Sequence, residues 1–210
     1  MASLSSLRLS KLSSGFDAGR AVPAHVQQLQ RWVADYLTQP NPGLGRAGPV
    51  CPFARPSMDR DLIWVGAVRG VSPAPADVVT LLDEFRGVFC ELPPASGRDV
   101  LLKATLIAFP DIVDYSLIDH VQRALKPRYV AAGLMIGQFY DGCQEPGLWN
   151  DGFRPLQSPV PLIAIRHMVS SDFPFLNSEP EWIEAYLRLF APTVPSPVRA
   201  ALAVGFGAEK

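Results

Sequence analysis

Proline cuts this chain into short pieces. Twenty-one of its 210 residues are proline, about twice the usual share of roughly 5%. Proline lacks a backbone N–H and fixes φ, so it sits badly inside helices and central strands. Most of the prolines cluster at 40–56, 73–75, 93–94, 155–161 and 191–197, and Pro110 and Pro127 are among those standing apart. Between the clusters lie segments with clear apolar periodicity, so the prolines punctuate a folded domain. Glycine is ordinary at 16 residues, which excludes a collagen-like or low-complexity chain.

The segments read in order. Val26, Leu29, Val33, Tyr36 and Leu37 mark a helix over 24–38, followed by a Pro/Gly-rich loop over 39–58. Residues 62–68 (LIWVGAV) read as a buried strand. Pro73 and Pro75 open a helix carrying Val78, Leu81, Leu82, Phe85, Val88 and Phe89 at helical spacing. A strand over 99–109 stops at Pro110, and a helix from Ser116 to Leu125 is expected to end at Lys126-Pro127. Strands follow over 134–140 and 161–168, separated by a polar loop over 141–160. Helices over 180–190 and 198–205 complete the pattern.

That order predicts a single α+β domain over 23–210, a two-layer sandwich with a ferredoxin-like mixed sheet and helices on one face. Lys103 inside a strand suggests solvent contact on the open face, which a second subunit of a homodimer would cover. Residues 1–22 form a mobile N-terminal arm in this reading. Six serines, three basic residues and one acid in its first 20 give the bias of a transit peptide, without the apolar run of a secretory signal.

Charge excludes some partners. Lys plus Arg number 19 against 20 Asp plus Glu, so nothing marks the chain for nucleic acid or an anionic membrane. Cys51, Cys90 and Cys143 are odd in number and far apart, as in a cytoplasmic protein with free thiols.

No complete catalytic motif is present. Gly43-Leu44-Gly45-Arg46-Ala47-Gly48 matches GxGxxG, but Pro42 before it and Pro49 after it deny the strand and helix that a dinucleotide site needs. His25, His120 and His167 show neither HxH nor HExxH spacing, and His120 belongs to a solvated helix face. Three places remain. His167 ends an apolar strand whose alternation puts it on the opposite face from Arg166; it is a ligand, a general base paired with Asp172, or a satisfied core histidine. Cys51-Pro52 has the form in which a loop presents a thiolate to haem iron, or it anchors the loop on the core. The 141–160 loop offers Trp149, Asn150 and Arg154 to a ligand, unless Arg154 merely pairs with Asp151 or Asp172.

The chain resembles an uncharacterised actinobacterial family often encoded beside natural-product genes. The resemblance rests on Cys51-Pro52-Phe53, residues 133–139 (GLMIGQF), residues 153–159 (FRPLQSP) and Ile165-Arg166-His167-Met168 with Asp172, and covers about 46–190. Cys51-Pro52-Phe53 is also similar to a tripeptide of bacterial haem-dependent N-hydroxylases of small amines and amino acids. Together these imply a cytoplasmic biosynthetic enzyme that oxidises or N-oxygenates a small polar metabolite. Cys51 or His167 would hold haem, and Arg154 or Arg166 would grip a carboxylate. The alternatives are a cofactor-free, dimeric small-molecule-binding or accessory protein, and acid/base catalysis by His167 with Asp172.

Overall fold

The computed structural model describes residues 7–13, 22–194 and 199. In chain order its main elements are β1 (Ser10–Lys11), α1 (Ala24–Trp32), α2 (Ala54–Asp59), β2 (Ile63–Ala67) and α3 (Pro75–Glu91). Then come β3 (Ala104–Ala108), α4 (Ser116–Ala131), β4 (Leu134–Phe139), β5 (Leu162–His167) and α5 (Pro180–Phe190). The five strands form one mixed sheet in the order β1-β2-β3-β5-β4, in which β2 and β3 are parallel neighbours and the other pairs are antiparallel. The α+β class, with helices packed on a mixed sheet, is therefore observed.

Two details of the expected architecture differ. In a ferredoxin-like sheet, another strand separates the parallel strands that a helix joins. The unit β3-α4-β4 follows that pattern, with β5 between its two parallel strands, but α3 links β2 directly to its neighbour β3. The helices also occupy both faces. Ile107, Ile163 and Ile165 pack with α3 and α4 on one side, while Val65, Leu106 and Leu162 pack with Leu29, Trp32 and Val33 of the α1 region on the other. Strands apolar on both faces need cover on both. The chain's own α1 thus lies on the face where an open sheet would have seated a second subunit.

Part of the expected N-terminal arm is also ordered. Ser10 and Lys11 pair antiparallel with β2, and the amide of Leu12 donates to the Ile63 carbonyl at 2.8 Å. Leu12 is buried in the α1-side core, and that burial anchors the segment. The segment expected as a helix over 198–205 lies, apart from Arg199, outside the described residues.

Three element boundaries moved for identifiable reasons. Helix α4 runs through Pro127 to Ala131 because Tyr129 and Val130 beyond the proline are buried, and the Tyr129 hydroxyl donates to the Leu82 carbonyl at 2.6 Å. Pro127 itself is exposed, so its ring meets solvent and packing outweighs the lost helix bond. Residues 98–102 make a 3-10 turn, leaving only Ala104–Ala108 as strand. Helix α2 forms inside the expected 39–58 loop, where burial of Ala54 and Ser57 fixes it.

Candidate functional site

Strand direction decides where polar groups can gather. β3 and β4 are each antiparallel to β5, so β2, β3 and β4 all run the same way and their carboxyl ends share one edge. Open sheets that carry parallel strands bind ligands outside these ends. Inside these three strands the polar side chains are the buried Thr105 and Gln138, and others follow where each strand leaves the sheet: Arg69 after β2, Asp111 and Asp114 after β3, Tyr140 after β4.

These side chains form two small networks beside a cavity. Arg69 grips Asp111 through Nε at 2.7 Å and Nη2 at 2.9 Å, and the Gly70 amide adds a bond of 2.9 Å. Those bonds, Arg69 first and Gly70 second, hold the Asp111 carboxyl below its usual range. His25 at the start of α1 feels the same pair. Burial, then the Arg69 charge, push its imidazole below the ordinary histidine value, with Asp111 pulling the other way. In the same loop Asp114 accepts the amide of Ser116, the first residue of α4, at 2.9 Å. A cavity of about 250 Å³ opens here, lined by Val71, Ser72, Pro73 and Pro75 on one side and Ile112, Asp114, Ser116, Leu117 and His120 on the other.

Behind His120, the Tyr140 hydroxyl donates to Asp119 Oδ2 at 2.8 Å. Asp119 Oδ1 is buried with no hydrogen-bond partner. Burial, with the Asp119 bond second, pushes the Tyr140 phenol far above its ordinary value, so it stays a donor. The Tyr115 ring lies 5.3 Å from that of Tyr140, and Cys143 is buried beside them with its thiol pushed up by desolvation. Among the described residues, no group of three or more His, Cys, Asp or Glu side chains could hold a metal ion.

A family model for a domain of unknown function, DUF6875, matches residues 26–201. The chain belongs to this family. No curated protein and no solved structure matches it. The match agrees with the resemblance to an uncharacterised family, and it spans every element of the carboxyl edge in this DUF6875 domain.

The residues singled out in the sequence lie elsewhere in the DUF6875 domain. Arg166 and His167 sit at the carboxyl end of β5, which points to the opposite edge of the sheet. They occupy opposite faces, as strand alternation requires. Arg166 binds Asp172 through Nη1 at 2.7 Å and Nη2 at 2.6 Å, on the side where its guanidinium lies 5.6 Å from the Phe53 ring. Both terminal nitrogens are therefore engaged, and Asp172 is turned away from His167. His167 packs its ring 5.2 Å from Phe89 on the other face, with Nε2 buried and unpartnered. Cys51 is half-buried at the entry to α2, its amide donating to the Leu37 carbonyl at 2.8 Å. The three cysteines are free thiols.

In the long loop, Asn150 ties two segments together, donating to the Gly43 carbonyl at 2.8 Å and accepting from the Gly152 amide at 2.9 Å. Gly45 takes φ +71° there, and a Cβ at that position would stand 2.7 Å from the Trp149 carbonyl oxygen. The Trp149 side chain remains 64% exposed. Arg154 donates to the backbone carbonyls of Asp151 and Phe153 and to neither expected carboxylate. His120 is exposed, as expected, but it lines the cavity. Sequence reasoning missed Arg69, Asp111, Asp114, Asp119 and Tyr140. The available signal was their position within a few residues of the end of an apolar strand or on the helix that follows.

The buried imidazole makes a pH prediction. Burial, then the charge of Lys103, hold His167 below its ordinary value of 6.5. The unfolded chain takes up a proton at that position near 6.5 while the folded chain resists it. Stability from this group is thus present above 6.5 and is lost as pH falls through 6.5 toward the folded value. His167→Phe should flatten the fall in urea midpoint between about pH 7 and pH 5. An unchanged slope would exclude His167 as the responsible group.

Proposed function

We propose that the protein takes a small polar metabolite into the carboxyl-edge cavity and acts on it by acid/base chemistry without a resident cofactor, as an enzyme of a biosynthetic pathway. The observation that supports this most is the lining itself. One cavity brings together the hydroxyls of Ser72 and Ser116, the Asp114 carboxylate and the His120 imidazole against apolar walls from Val71, Ile112 and Leu117. A few convergent polar groups on an apolar wall orient a small ligand. Histidine is the side chain suited to take and return a proton near neutral pH. Asp114 is already ionised, since its bonds to Ser116 lower its carboxyl.

The test is a titration of 15N-labelled protein with a mixture of amino acids, hydroxy acids and nucleosides. Amides of residues 70–73 and 112–120 should shift. Ser72→Trp, an exposed position that lines the cavity, should abolish the shifts without lowering the melting temperature. Shifts confined to the surroundings of Cys51 and Arg166, no shifts at all, or a Soret band on hemin addition that Cys51→Ala or His167→Ala removes would each overturn the proposal.

A further inference from the structure

Helices α4 and α5 leave a second cavity between them, of about 520 Å³, on the outer side of α4. Arg123 and Lys126 enter it from α4, and Glu179 and Glu181 enter it from the start of α5, with Trp182 and Pro127 supplying apolar surface. The Lys126 ammonium lies 4.2 Å from the centroid of the Trp182 ring. Two cations and two anions thus line one groove. No ion pair within 4.0 Å joins any of them among the described residues. The charges nevertheless sense one another: Glu145 and Glu179 act on Lys126, whose pKa is lowered chiefly by desolvation.

The groove holds opposite charges apart across a space with an aromatic wall. A simple anion entering it would meet Glu179 and Glu181, and a simple cation would meet Arg123 and Lys126. A ligand carrying both charges a short distance apart satisfies both walls. A guanidinium matches a carboxylate through two parallel N–H bonds, and a carboxylate is the natural partner of an ammonium. We propose that this groove is a binding site for a free α-amino acid, with its carboxylate on Arg123, its ammonium on Glu179 and Glu181, and an apolar side chain against Trp182 and Pro127. It is separate from the carboxyl-edge cavity and does not depend on the reading of that cavity.

The probe is L-leucine, titrated into 15N-labelled protein while the indole N–H of Trp182, assigned with Trp182→Phe, is followed. A saturable shift is expected. N-acetyl-L-leucine and L-leucine methyl ester, each missing one charge, should bind at least about tenfold more weakly. Arg123→Ala and the double change Glu179→Gln/Glu181→Gln should each weaken L-leucine by a similar factor, with the melting temperature unchanged because all three positions are exposed. The absence of a saturable shift, equal binding of either blocked derivative, or unaltered affinity in these variants would overturn the assignment.

Discussion

Asp172→Ala is expected to destabilise the protein by about 3–5 kcal/mol, the usual result of removing one partner of a buried ion pair. Asp172 is only 2% exposed, yet its carboxylate accepts three bonds, two from Arg166 at 2.7 and 2.6 Å and one from the Val169 amide at 2.8 Å. Alanine would leave a half-buried guanidinium with only the His167 carbonyl as acceptor, at 2.9 Å. It would also free the turn Ser170–Phe175, which delivers Phe173 to the Tyr186 ring at 5.4 Å and so docks α5. Asp172→Asn, which keeps an acceptor for Val169, should cost less. The double change Arg166→Met/Asp172→Leu should recover much of the loss, because the stranded charge is gone. Urea melts of the four proteins decide the matter. A cost below about 1 kcal/mol for Asp172→Ala would mean that solvent already screens Arg166.

This role for Arg166 was half legible in the sequence. Alternation along residues 162–167 correctly separates Arg166 from His167, because a strand has a strict period of two. The partner was not legible. Asp172 is six residues away and reaches Arg166 only because the chain reverses after β5, and a turn of that kind leaves no periodic signal. Helix α5 was readable to the residue for the opposite reason: Pro180 starts it and its apolar face is regular. Helix α4 was read short because a local rule about Pro127 competes with tertiary burial of Tyr129 and Val130, and burial prevails.

The carboxyl edge was illegible for a topological reason. Arg69, Asp111, Asp114, His120 and Tyr140 come from three separate strand ends and the helix that follows one of them, with no fixed spacing. What gathers them is the shared direction of β2, β3 and β4, and that direction follows from the insertion of β5 between β3 and β4. A histidine on an exposed helix face reads as solvated in isolation. Only the loops after β2 and β3 turn that face into a cavity wall.

Lys103 is the residue whose sequence reading and structure differ most, and its replacement is the second large effect expected. A lysine in a strand suggested contact with water, but Lys103 is fully buried. Its ammonium donates to the carbonyls of Leu92 at 2.7 Å and Cys90 at 3.2 Å and lies 4.9 Å from the Phe89 ring centroid. It therefore caps the end of α3, where carbonyls have no partner within the helix and a positive charge suits the dipole. Lys103→Met keeps the aliphatic stem but strands both carbonyls, a cost of about 1–3 kcal/mol. Lys103→Ala adds a cavity and should cost about 3–5 kcal/mol. Burial lowers the folded pKa of Lys103 below 10.5, so the unfolded chain binds the extra proton over that interval. Wild-type stability should consequently gain, from this group, as pH rises toward 10.5, and Lys103→Met should lack that gain. A second readout separates capping from packing. The Lys103 charge also depresses His167, so in Lys103→Met the His167 imidazole, followed by NMR, should titrate closer to 6.5. An unmoved His167 would mean that burial alone keeps it neutral, and that the cation acts on the end of α3 and not across the sheet.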